Sequence, residues 1–382
     1  MRFVTYEKRE WNYSGNIFYV PRSKRRLLEQ KYKSAVISDL SSIDIKLDKN
    51  TNSLLQEVIE ELVKLDLTMK NESFALPTLL LRSEALSSSQ IENYNSSNKS
   101  VAMAQLNGSN KTQANIISGN LNAIIYALSN QETIDLSLIK SIHYELMKES
   151  EEGNPGEIRV VPNWIGKSSL SPHNADYVPP HPECLGNDLK NLIDFINRYD
   201  LHPFVKGAFA HAYFESIHPF EDGNGRVGRI LFQVILKQTG FLNDFNIPLS
   251  TELVKDNEGY INSLIDFRDG NYISIINLFC QKALSITSKV YKLINDIDDV
   301  KNKWINQIKA RQDAYVWKMI DELISQPVID VTYFKKKFNW NDQAIRNNID
   351  ILLKNNVLKK TNDFKRNVIY ECKEILTILD NF

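Results

Sequence analysis

Residues 218–229, with the sequence His-Pro-Phe-Glu-Asp-Gly-Asn-Gly-Arg-Val-Gly-Arg, constrain the fold and chemistry of this chain more than any other segment. Helical periodicity precedes the segment from Ala208 to Ile217 and resumes from Ile230 to Gln238, so a link between two helices is predicted. Free N–H groups at the start of the second helix favour a bound anion. The turn at Gly223–Gly225 can add a concave nest of backbone N–H groups for phosphate oxygens.

The alternative for a Gly-Asn-Gly turn is an ordinary helix–helix connection, beside which a lone histidine is more often structural. That alternative does not explain why His218, Asp222 and two arginines stand at fixed offsets around the turn. Arg226 and Arg229 are three residues apart on the second helix, so both can face one pocket. Because transfer of a phosphoryl-type group needs positioning and charge neutralisation above all, this set predicts phosphate chemistry.

The segment matches the signature His-x-Phe-x-(Asp/Glu)-Gly-Asn-Gly-Arg-x-x-Arg, and the chain thereby resembles the Fic family at eight fixed positions. The resemblance implies a mainly α fold, with a Fic-type helical core and a small β-hairpin flap. It also implies transfer of AMP from ATP, with Mg²⁺, to a hydroxyl group of a target protein.

The same resemblance gives each residue of the segment a role. His218 is expected to be the general base for the target hydroxyl, Asp222 to hold Mg²⁺, and Phe220 to anchor the loop in the core. The candidate nucleotide-binding residues are Gly223, Asn224, Gly225, Arg226, Val227, Gly228 and Arg229. Physical chemistry agrees, because an unperturbed histidine with a pKa of ~6.5 accepts protons at neutral pH and Mg²⁺ needs only one or two carboxylates beside phosphates.

Ser88, Glu92 and Asn93 follow an apolar run from Leu79 to Leu86 and fit the family's inhibitory pattern (Ser/Thr)-x-x-x-Glu-(Gly/Asn). In this resemblance Glu92 makes a bidentate pair with Arg229 and occupies the place of the ATP γ-phosphate. A capping serine followed by an acidic residue is the alternative explanation. We expect the chain to be inhibited by its own Glu92.

Pro- and Gly-rich residues between the two motifs resemble the Fic flap, a hairpin that holds the target backbone by strand addition. Ile158–Ile165 is predicted to be an extended ribbon that turns at Gly166. The candidate contacts from the flap are Ile165, Gly166, Lys167 and Ser168. A Pro-rich surface loop is the alternative.

Tyr260 and Arg268 are expected, by their position in the family, to border the adenine and the ribose. Ile261 stands where many members have a second aromatic residue. A half-buried core position for Tyr260 is an equally good interpretation.

At 382 residues the chain is long for a single core, and three units are predicted. They are an N-terminal extension with the inhibitory helix (1–98), a Fic catalytic core (99–300) and a winged-helix-like domain (301–382). The extension is expected to start irregularly and then to form a helix over Leu54–Leu65. Further helices are predicted at 99–128, 136–147 and 275–308.

The C-terminal residues have the winged-helix order of helix (314–325), strand (328–331), two helices (332–338 and 341–355) and a two-stranded wing. Basic residues that could meet phosphate backbones are Lys335, Lys336, Lys337, Arg346, Lys354, Lys359, Lys360, Lys365 and Arg366. Asp342 and Asp350 on the presumed recognition helix weaken DNA binding. A domain that docks proteins or forms a homodimer remains equally open.

A formal net charge of −1 and 24% charged residues give no overall signature of polyanion binding. The N-terminus has no apolar signal region and no stretch reaches a membrane span, so a cytoplasmic protein without membrane contact is expected. Cys184, Cys280 and Cys372 are widely spaced and indicate reduced thiols. His211, Glu215 and His218 share a helical face, but no further ligand for a transition metal is evident.

These observations favour a protein adenylyltransferase that modifies a Ser, Thr or Tyr hydroxyl. Two alternatives remain open. One is a nucleotide-sensing, DNA-binding regulator; the other is a Fic enzyme that mainly removes AMP, with Glu92 orienting a water molecule.

Overall fold

A computed structural model describes residues 2–11, 18, 20–21, 25, 28, 31–70, 75–107, 112–130, 133–150, 153–166, 171–361 and 368–382. The described chain is mainly α-helical. The α-helices up to residue 307 are α1 (Lys49–Met69), α2 (Ala75–Ile91), α3 (Asn98–Asn107), α4 (Gln113–Ser129), α5 (Leu136–Met147), α6 (Leu185–Ile196), α7 (Pro203–Ile217), α8 (Asn224–Gln238), α9 (Ser250–Leu253), α10 (Asn257–Arg268) and α11 (Tyr272–Gln307). None of the described helices is long and apolar enough to cross a membrane.

Two fully enclosed helices, α7 and α8, form the centre of the molecule. Almost every side chain of both is buried, because α5, α6, α10, α11 and α2 pack around them. Pro203 occupies the first turn of α7, where a missing N–H costs nothing. Residues 218–223 connect the end of α7 to the start of α8, as the sequence predicts. The signature segment (residues 218–229) therefore lies at one end of the central helix pair.

The N-terminal extension begins with a two-stranded sheet, and the prediction of an irregular start is wrong. Strands β1 (Val4–Arg9) and β2 (Tyr32–Ile37) pair antiparallel, with Val4 opposite Ile37. The sheet is bonded to the core at both strands: the N–H of Phe3 donates to the carbonyl of Arg268 (3.1 Å), and that of Ala35 donates to the carbonyl of Val178 (3.0 Å).

One segment predicted as a single helix is divided in two. Residues 99–128 were expected to be one helix, but they form α3 and α4, which are separate helices. Gly108 lies between them and is the sequence signal for the break. In contrast, α5 has the predicted bounds, and the carboxylate of Asp135 caps it by accepting from the N–H of Leu138 (2.8 Å).

One continuous cluster of buried apolar side chains extends from Phe3 to Leu379 through all three predicted units. The boundary predicted at residue 300 falls inside α11. The apolar packing is therefore continuous across residues 98 and 300, and the division into three units stays a prediction.

The C-terminal elements follow in the predicted order. They are α12 (Tyr315–Ser325), β3 (Val328–Ile329), α13 (Val331–Phe338), α14 (Asp342–Lys354), β4 (Lys359–Lys360), β5 (Tyr370–Glu371) and α15 (Lys373–Asn381). The strands form one antiparallel sheet in the order β3-β5-β4. Assignment to the winged-helix class remains a prediction. Helix α12 packs on α2, so this domain touches the helix that precedes Glu92.

Candidate active site

The turn between α7 and α8 is held in shape by two unusual backbone conformations. His218 ends α7 with φ 50° and ψ 61°, in the left-handed region that a histidine adopts only where its surroundings impose it. Gly223 precedes α8 with φ 79°, which glycine tolerates without strain. Between them, the carboxamide of Asn224 accepts from the N–H of Phe220 and donates to its carbonyl, both at 2.9 Å. The side chain of Asn224 thus closes the turn between α7 and α8.

Phe220 anchors the turn in the core, as expected. Its fully buried ring stacks on the imidazole of His143, with centroids 3.7 Å apart. His143 accepts at Nδ1 from the N–H of Gly156 (2.8 Å), so Nε2 carries the proton and donates to the carbonyl of Asp222 (3.1 Å). Burial lowers the pKa of His143 to about 4, which keeps this neutral form at neutral pH.

His218 carries a neutral imidazole at the mouth of the turn. Burial, followed by the positive charges of Arg159 and Arg268, lowers its pKa to about 3. Arg159 fixes the backbone there, because its Nε donates to the carbonyl of His218 (2.9 Å) and its N–H to that of Pro219 (3.0 Å). A ring that is unprotonated at neutral pH can accept a proton from a hydroxyl group.

Glu215 lies beneath His218. Its Oε2 is 3.8 Å from Nδ1 of His218, and its Oε1 has no hydrogen-bond partner among the described residues. Burial, and then the nearby charge of Glu92, raise the pKa of this carboxyl to about 7.

The first turn of α8 is the candidate anion-binding backbone. The first N–H groups of a helix have no acceptor within the helix, and here they belong to Asn224, Gly225 and Arg226. The carboxylate of Glu92 already lies against this turn. A Cβ atom placed on Gly225 would be 2.0 Å from Oε1 of Glu92, so only glycine permits this approach.

Arg226 and Asp222 form a charged pair at the start of α8. Nη2 of the buried Arg226 is 2.9 Å from Oδ2 of Asp222, and its guanidinium lies 5.0 Å from the ring centroid of Tyr94. The side chain of Asp222 is 38% exposed, so it is accessible to a ligand or cation from solution.

Arg229 is buried at the centre of a hydrogen-bond network. Its Nε donates to Oγ of Ser88, and its Nη2 to the carbonyl of Ser88 and to Oε1 of Glu92, each at 2.8 Å. Its Nη1 is 3.4 Å from the hydroxyl of Tyr260. The expected bidentate pair with Glu92 is wrong, because Oε1 of Glu92 binds Nη2 alone, while Nε binds Ser88 and Nη1 faces the hydroxyl of Tyr260.

The backbone conformation of Asn93 explains why the Ser88–Asn93 motif ends in asparagine or glycine. It follows α2 in the left-handed conformation, with φ 66°, and its N–H donates to the carbonyl of Gln90 (2.9 Å). Asparagine and glycine are the residues that adopt this conformation most easily at a helix C-terminus. The turn places Glu92 over α8.

The other candidate residues of the signature segment and its surroundings are placed as follows. Val227 is fully buried in the apolar core, so only its backbone is available to a ligand. Gly228 lies against His211 and Glu215. Tyr260 is buried, and its hydroxyl is 2.7 Å from Nε2 of His211. Its contact with Arg229 makes it part of the hydrogen-bond network of that residue, whereas an adenine contact stays a prediction.

Arg268 packs face-on over the ring of Tyr177, with Cζ 3.7 Å from the centroid. The hydroxyl of Tyr177 donates to the carbonyl of Ser216 (2.7 Å), which ties this pair to the end of α7. The predicted ribose contact of Arg268 stays a prediction.

The expected hairpin flap is reduced to one bridge in the described residues. Ile165 pairs with Tyr177: its N–H donates to the carbonyl of Tyr177 (2.8 Å), and its carbonyl accepts from the N–H of Asp176 (2.8 Å). Residues 158–164 are not a strand, because Arg159 and Asn163 turn their side chains to backbone carbonyls of the signature segment. Gly166 follows the bridge, and Lys167 and Ser168 lie outside the described residues.

The basic residues of the C-terminal domain are partly neutralised. Lys335 pairs with Asp342 (2.9 Å) and Lys337 with Glu322 (3.3 Å). Lys359 and Lys360 are exposed on β4, whereas Lys365 and Arg366 lie outside the described residues.

Three side chains of the candidate site have no local sequence signal. Arg159 lies within the Pro- and Gly-rich stretch, and Tyr94 stands just beyond the inhibitory motif. For Glu215 the sequence indicates only a helical face shared with His211 and His218. Within the described ranges no group of three or more His, Cys, Asp or Glu side chains is arranged to hold a metal ion.

The part of the chain that contains the signature segment is similar to known proteins. Residues 133–236 match the Fic/DOC family. A probable protein adenylyltransferase of Aquifex aeolicus is 30% identical over 157 residues, which cover 39% of this chain and 47% of that protein. The protein adenylyltransferase Fic of Nematostella vectensis is 31% identical over 117 residues, covering 30% of this chain and 25% of the relative. The matched region is thus less than half of each relative.

A crystal structure of a Fic family protein from Desulfovibrio desulfuricans is similar over 86% of this chain and 97% of that one, with a TM-score of 0.57 and 18% identity. This similarity concerns the fold alone. Residues 133–236 are thus similar to the Fic/DOC family, and protein adenylyltransferases are among the proteins to which the chain is similar.

Proposed function

We propose that this protein transfers AMP from ATP to a Ser, Thr or Tyr hydroxyl of a target protein. The observation that carries the proposal is a neutral His218 beside the first turn of α8, where unsatisfied N–H groups and two buried arginines meet. A base and an anion site side by side are the requirements for attack of a hydroxyl on a phosphate.

In the proposed reaction the target oxygen attacks the α-phosphorus while the imidazole of His218 takes the hydroxyl proton. A bond forms between that oxygen and the phosphorus, and the bond from the α-phosphorus to the bridging oxygen of the β-phosphate breaks. Pyrophosphate leaves with the bonding electrons. The N–H groups of residues 224–226 and the guanidiniums of Arg226 and Arg229 hold the charged phosphates.

Asp222 is the residue that suits Mg²⁺. Its carboxylate is accessible, and its partner Arg226 leaves Oδ1 available as a hard oxygen ligand. When bound, the ion would neutralise charge on the phosphates.

We also propose that Glu92 holds the protein in an inhibited state. Its carboxylate occupies the first turn of α8 and engages Arg229, so a phosphate oxygen must compete for both positions. Ser88 fixes Arg229 from the other side, and α2 thereby acts as a plug.

The target is proposed to bind along the flap side of the site. Val160 is 83% exposed and Val161 is 51% exposed, and both stand next to the bridge at Ile165. The three free thiols accord with a reducing compartment, and we propose the cytoplasm as the site of action.

Removal of AMP is the second candidate activity. The side chain of Glu92 is 35% exposed beside the anion site, so its carboxylate could orient a water molecule. The exposed lysines of β4 similarly motivate DNA binding by a nucleotide-sensing regulator, with protein docking or dimerisation as the other role of that domain.

The test uses ATP labelled at the α- or the γ-phosphate, with cell lysate as the source of targets. Label retained on protein only from α-labelled ATP is expected for AMP transfer. His218→Ala should lower that signal by about 10²- to 10⁴-fold and leave ATP binding largely intact, because other residues hold the phosphates. His181→Ala is the matched control, since its side chain lies outside the signature segment. Undiminished transfer by His218→Ala would refute the mechanism.

Incubation with a target that already carries AMP separates the second activity from the first. Faster loss of AMP with the parent than with Glu92→Gln would support removal by Glu92.

A further inference from the structure

A cavity of about 440 Å³ lies where α2, α3 and α4 meet the C-terminal helices α12 and α13. Its polar lining includes Arg82, Gln105, Glu322, Gln326, Tyr333 and Lys337. None of its lining residues belongs to the signature segment or to the Ser88–Asn93 motif. The cavity is therefore separate from the candidate active site.

Arg82 is a buried cation in this cavity that has no carboxylate among its hydrogen-bond partners in the described residues. It is 2% exposed, and its Nη2 donates to the carboxamide oxygens of Gln105 (2.5 Å) and Gln326 (2.6 Å). Its Nε and Nη1 have no acceptor in the described part of the chain. Burial lowers the pKa of this guanidinium to about 10, so it stays charged at neutral pH. Buried charges are normally paired, and a guanidinium held only by neutral oxygens lacks its natural partner.

The carboxylate that lines the cavity is already committed. Glu322 accepts from the hydroxyl of Tyr333 and pairs with Nζ of Lys337 at 3.3 Å. Arg82 and Lys337 contribute two positive charges and Glu322 one negative charge, which leaves an excess of one positive charge among the described lining residues.

Gln105 and Gln326 hold Arg82 in different ways. Both ends of the buried Gln326 are used, because its Nε2 also donates to the carbonyls of Ala102 (2.8 Å) and Val328 (2.7 Å). Gln105 is half-buried, and its oxygen is the more easily displaced of the two. Since the unpaired nitrogens of Arg82 are shielded from solvent, an incoming anion must displace Gln105 to reach the guanidinium.

We propose that this cavity binds a small organic oxyanion, either a phosphate monoester or a carboxylate, whose charged group replaces the oxygen of Gln105 on Arg82. The hydrogen bond gains strength when a charged oxygen takes the place of a neutral one. Lys337 stands at the opening, where it can attract the anion electrostatically.

The location of the cavity links its occupant to α2. Arg82 precedes Ser88 by six residues on the same helix, a distance of about 9 Å along the axis. Gln326 follows α12 in the C-terminal domain, so Arg82 connects that domain to the helix that leads to Glu92.

Binding is tested on the full chain, with inorganic phosphate and with acetate as probes, by calorimetry and thermal shift at constant ionic strength. The parent is compared with Arg82→Gln, Gln105→Ala and Gln105→Glu. All four proteins share one active site, so anion binding there is common to them and the differences report on the cavity. The readout is binding rather than AMP transfer, and its outcome is independent of the proposed enzymatic function.

Arg82→Gln should weaken the cavity-dependent binding at least tenfold, and Gln105→Ala should strengthen it. Gln105→Glu supplies a carboxylate from the chain itself, so it should abolish this binding and raise the melting temperature. This last variant keeps the proposal testable if Arg82→Gln fails to fold. Binding of phosphate alone would indicate a phosphorylated ligand, and binding of acetate a carboxylic acid. An identical response of all four proteins, or binding of neither probe, would overturn the proposal.

Discussion

Replacement of Glu92 by glycine should convert the protein from an inhibited to an active state. Oε1 of Glu92 lies 2.8 Å from Nη2 of Arg229 and covers the first turn of α8 at Gly225. Opposite charges about 4 Å apart attract by about 4 kcal/mol at an effective dielectric constant of ~20. Because the Glu92 side chain is 35% exposed, screening by water reduces that figure.

We expect about 1.4 to 2.8 kcal/mol of relieved competition, which corresponds to a gain of about ten- to a hundredfold in transfer rate. The assay is incorporation of α-labelled ATP into the protein itself and into lysate targets, at subsaturating and saturating ATP. Glu92→Gln keeps the shape of the side chain and removes its charge, so it should give an intermediate gain. Glu92→Asp should change the rate least, since its shorter side chain still places an anion nearby.

Gln90→Gly is the matched control for Glu92→Gly, because it weakens the same C-terminal turn of α2 without touching the charge at Arg229. It should leave the rate close to that of the parent. If Glu92→Gly and the parent transfer AMP equally at every ATP concentration, the inhibitory role of Glu92 is refuted. Activation by Gln90→Gly as strong as that by Glu92→Gly would instead assign the effect to loosening of the helix.

In NMR titrations, the ring of His218 should remain neutral from pH 8 to about pH 5, since burial and two arginines lower its pKa to about 3; protonation near the ordinary value of ~6.5 would contradict this. An unfolded histidine titrates near pH ~6.5, so the depressed pKa of folded His218 makes the free energy of unfolding depend on pH. Its contribution to stability is present above pH ~6.5 and is lost as the pH falls from there towards the pKa of the folded protein. Phe220→Ala should lower the free energy of unfolding in urea by about 3–5 kcal/mol, whereas Tyr199→Ala, at a fully exposed residue, should change it by less than about 0.5 kcal/mol. If the C-terminal domain reads DNA, the full chain should bind duplex with an affinity that falls steeply with salt, and Lys359→Ala with Lys360→Ala should make that dependence shallower; absence of binding at low salt would favour protein docking.

Local signals explain why the centre of the site was predictable. The signature segment fixes its own geometry, because Asn224 binds the backbone of Phe220 four residues earlier and Gly223 supplies the left-handed turn. Helix α5 was equally clear, since its periodicity and its Asp135 cap are contiguous in sequence.

Contacts between distant residues were the part that the sequence could not specify. The stacking of His143 on Phe220 and the anchoring of His218 by Arg159 join residues 77 and 59 positions apart, for which no local pattern exists. The strand β1 was missed because its exposed side chains obscure the alternation that marks a strand. The single contact between Glu92 and Arg229, in place of a bidentate one, follows from competition by Ser88, which spacing does not reveal.

The N-terminal sheet has a practical consequence for how this protein can be divided. The region that matches the family, residues 133–236, excludes Glu92, Tyr260 and Arg268, and the backbone of Arg268 is bonded to Phe3. A recombinant fragment limited to the matched region would therefore lose Ser88, Glu92 and Tyr260, the side chains that contact Arg229. A fragment that begins after the N-terminal sheet would also lose the hydrogen bond from the N–H of Phe3 to the carbonyl of Arg268, the candidate ribose-binding residue.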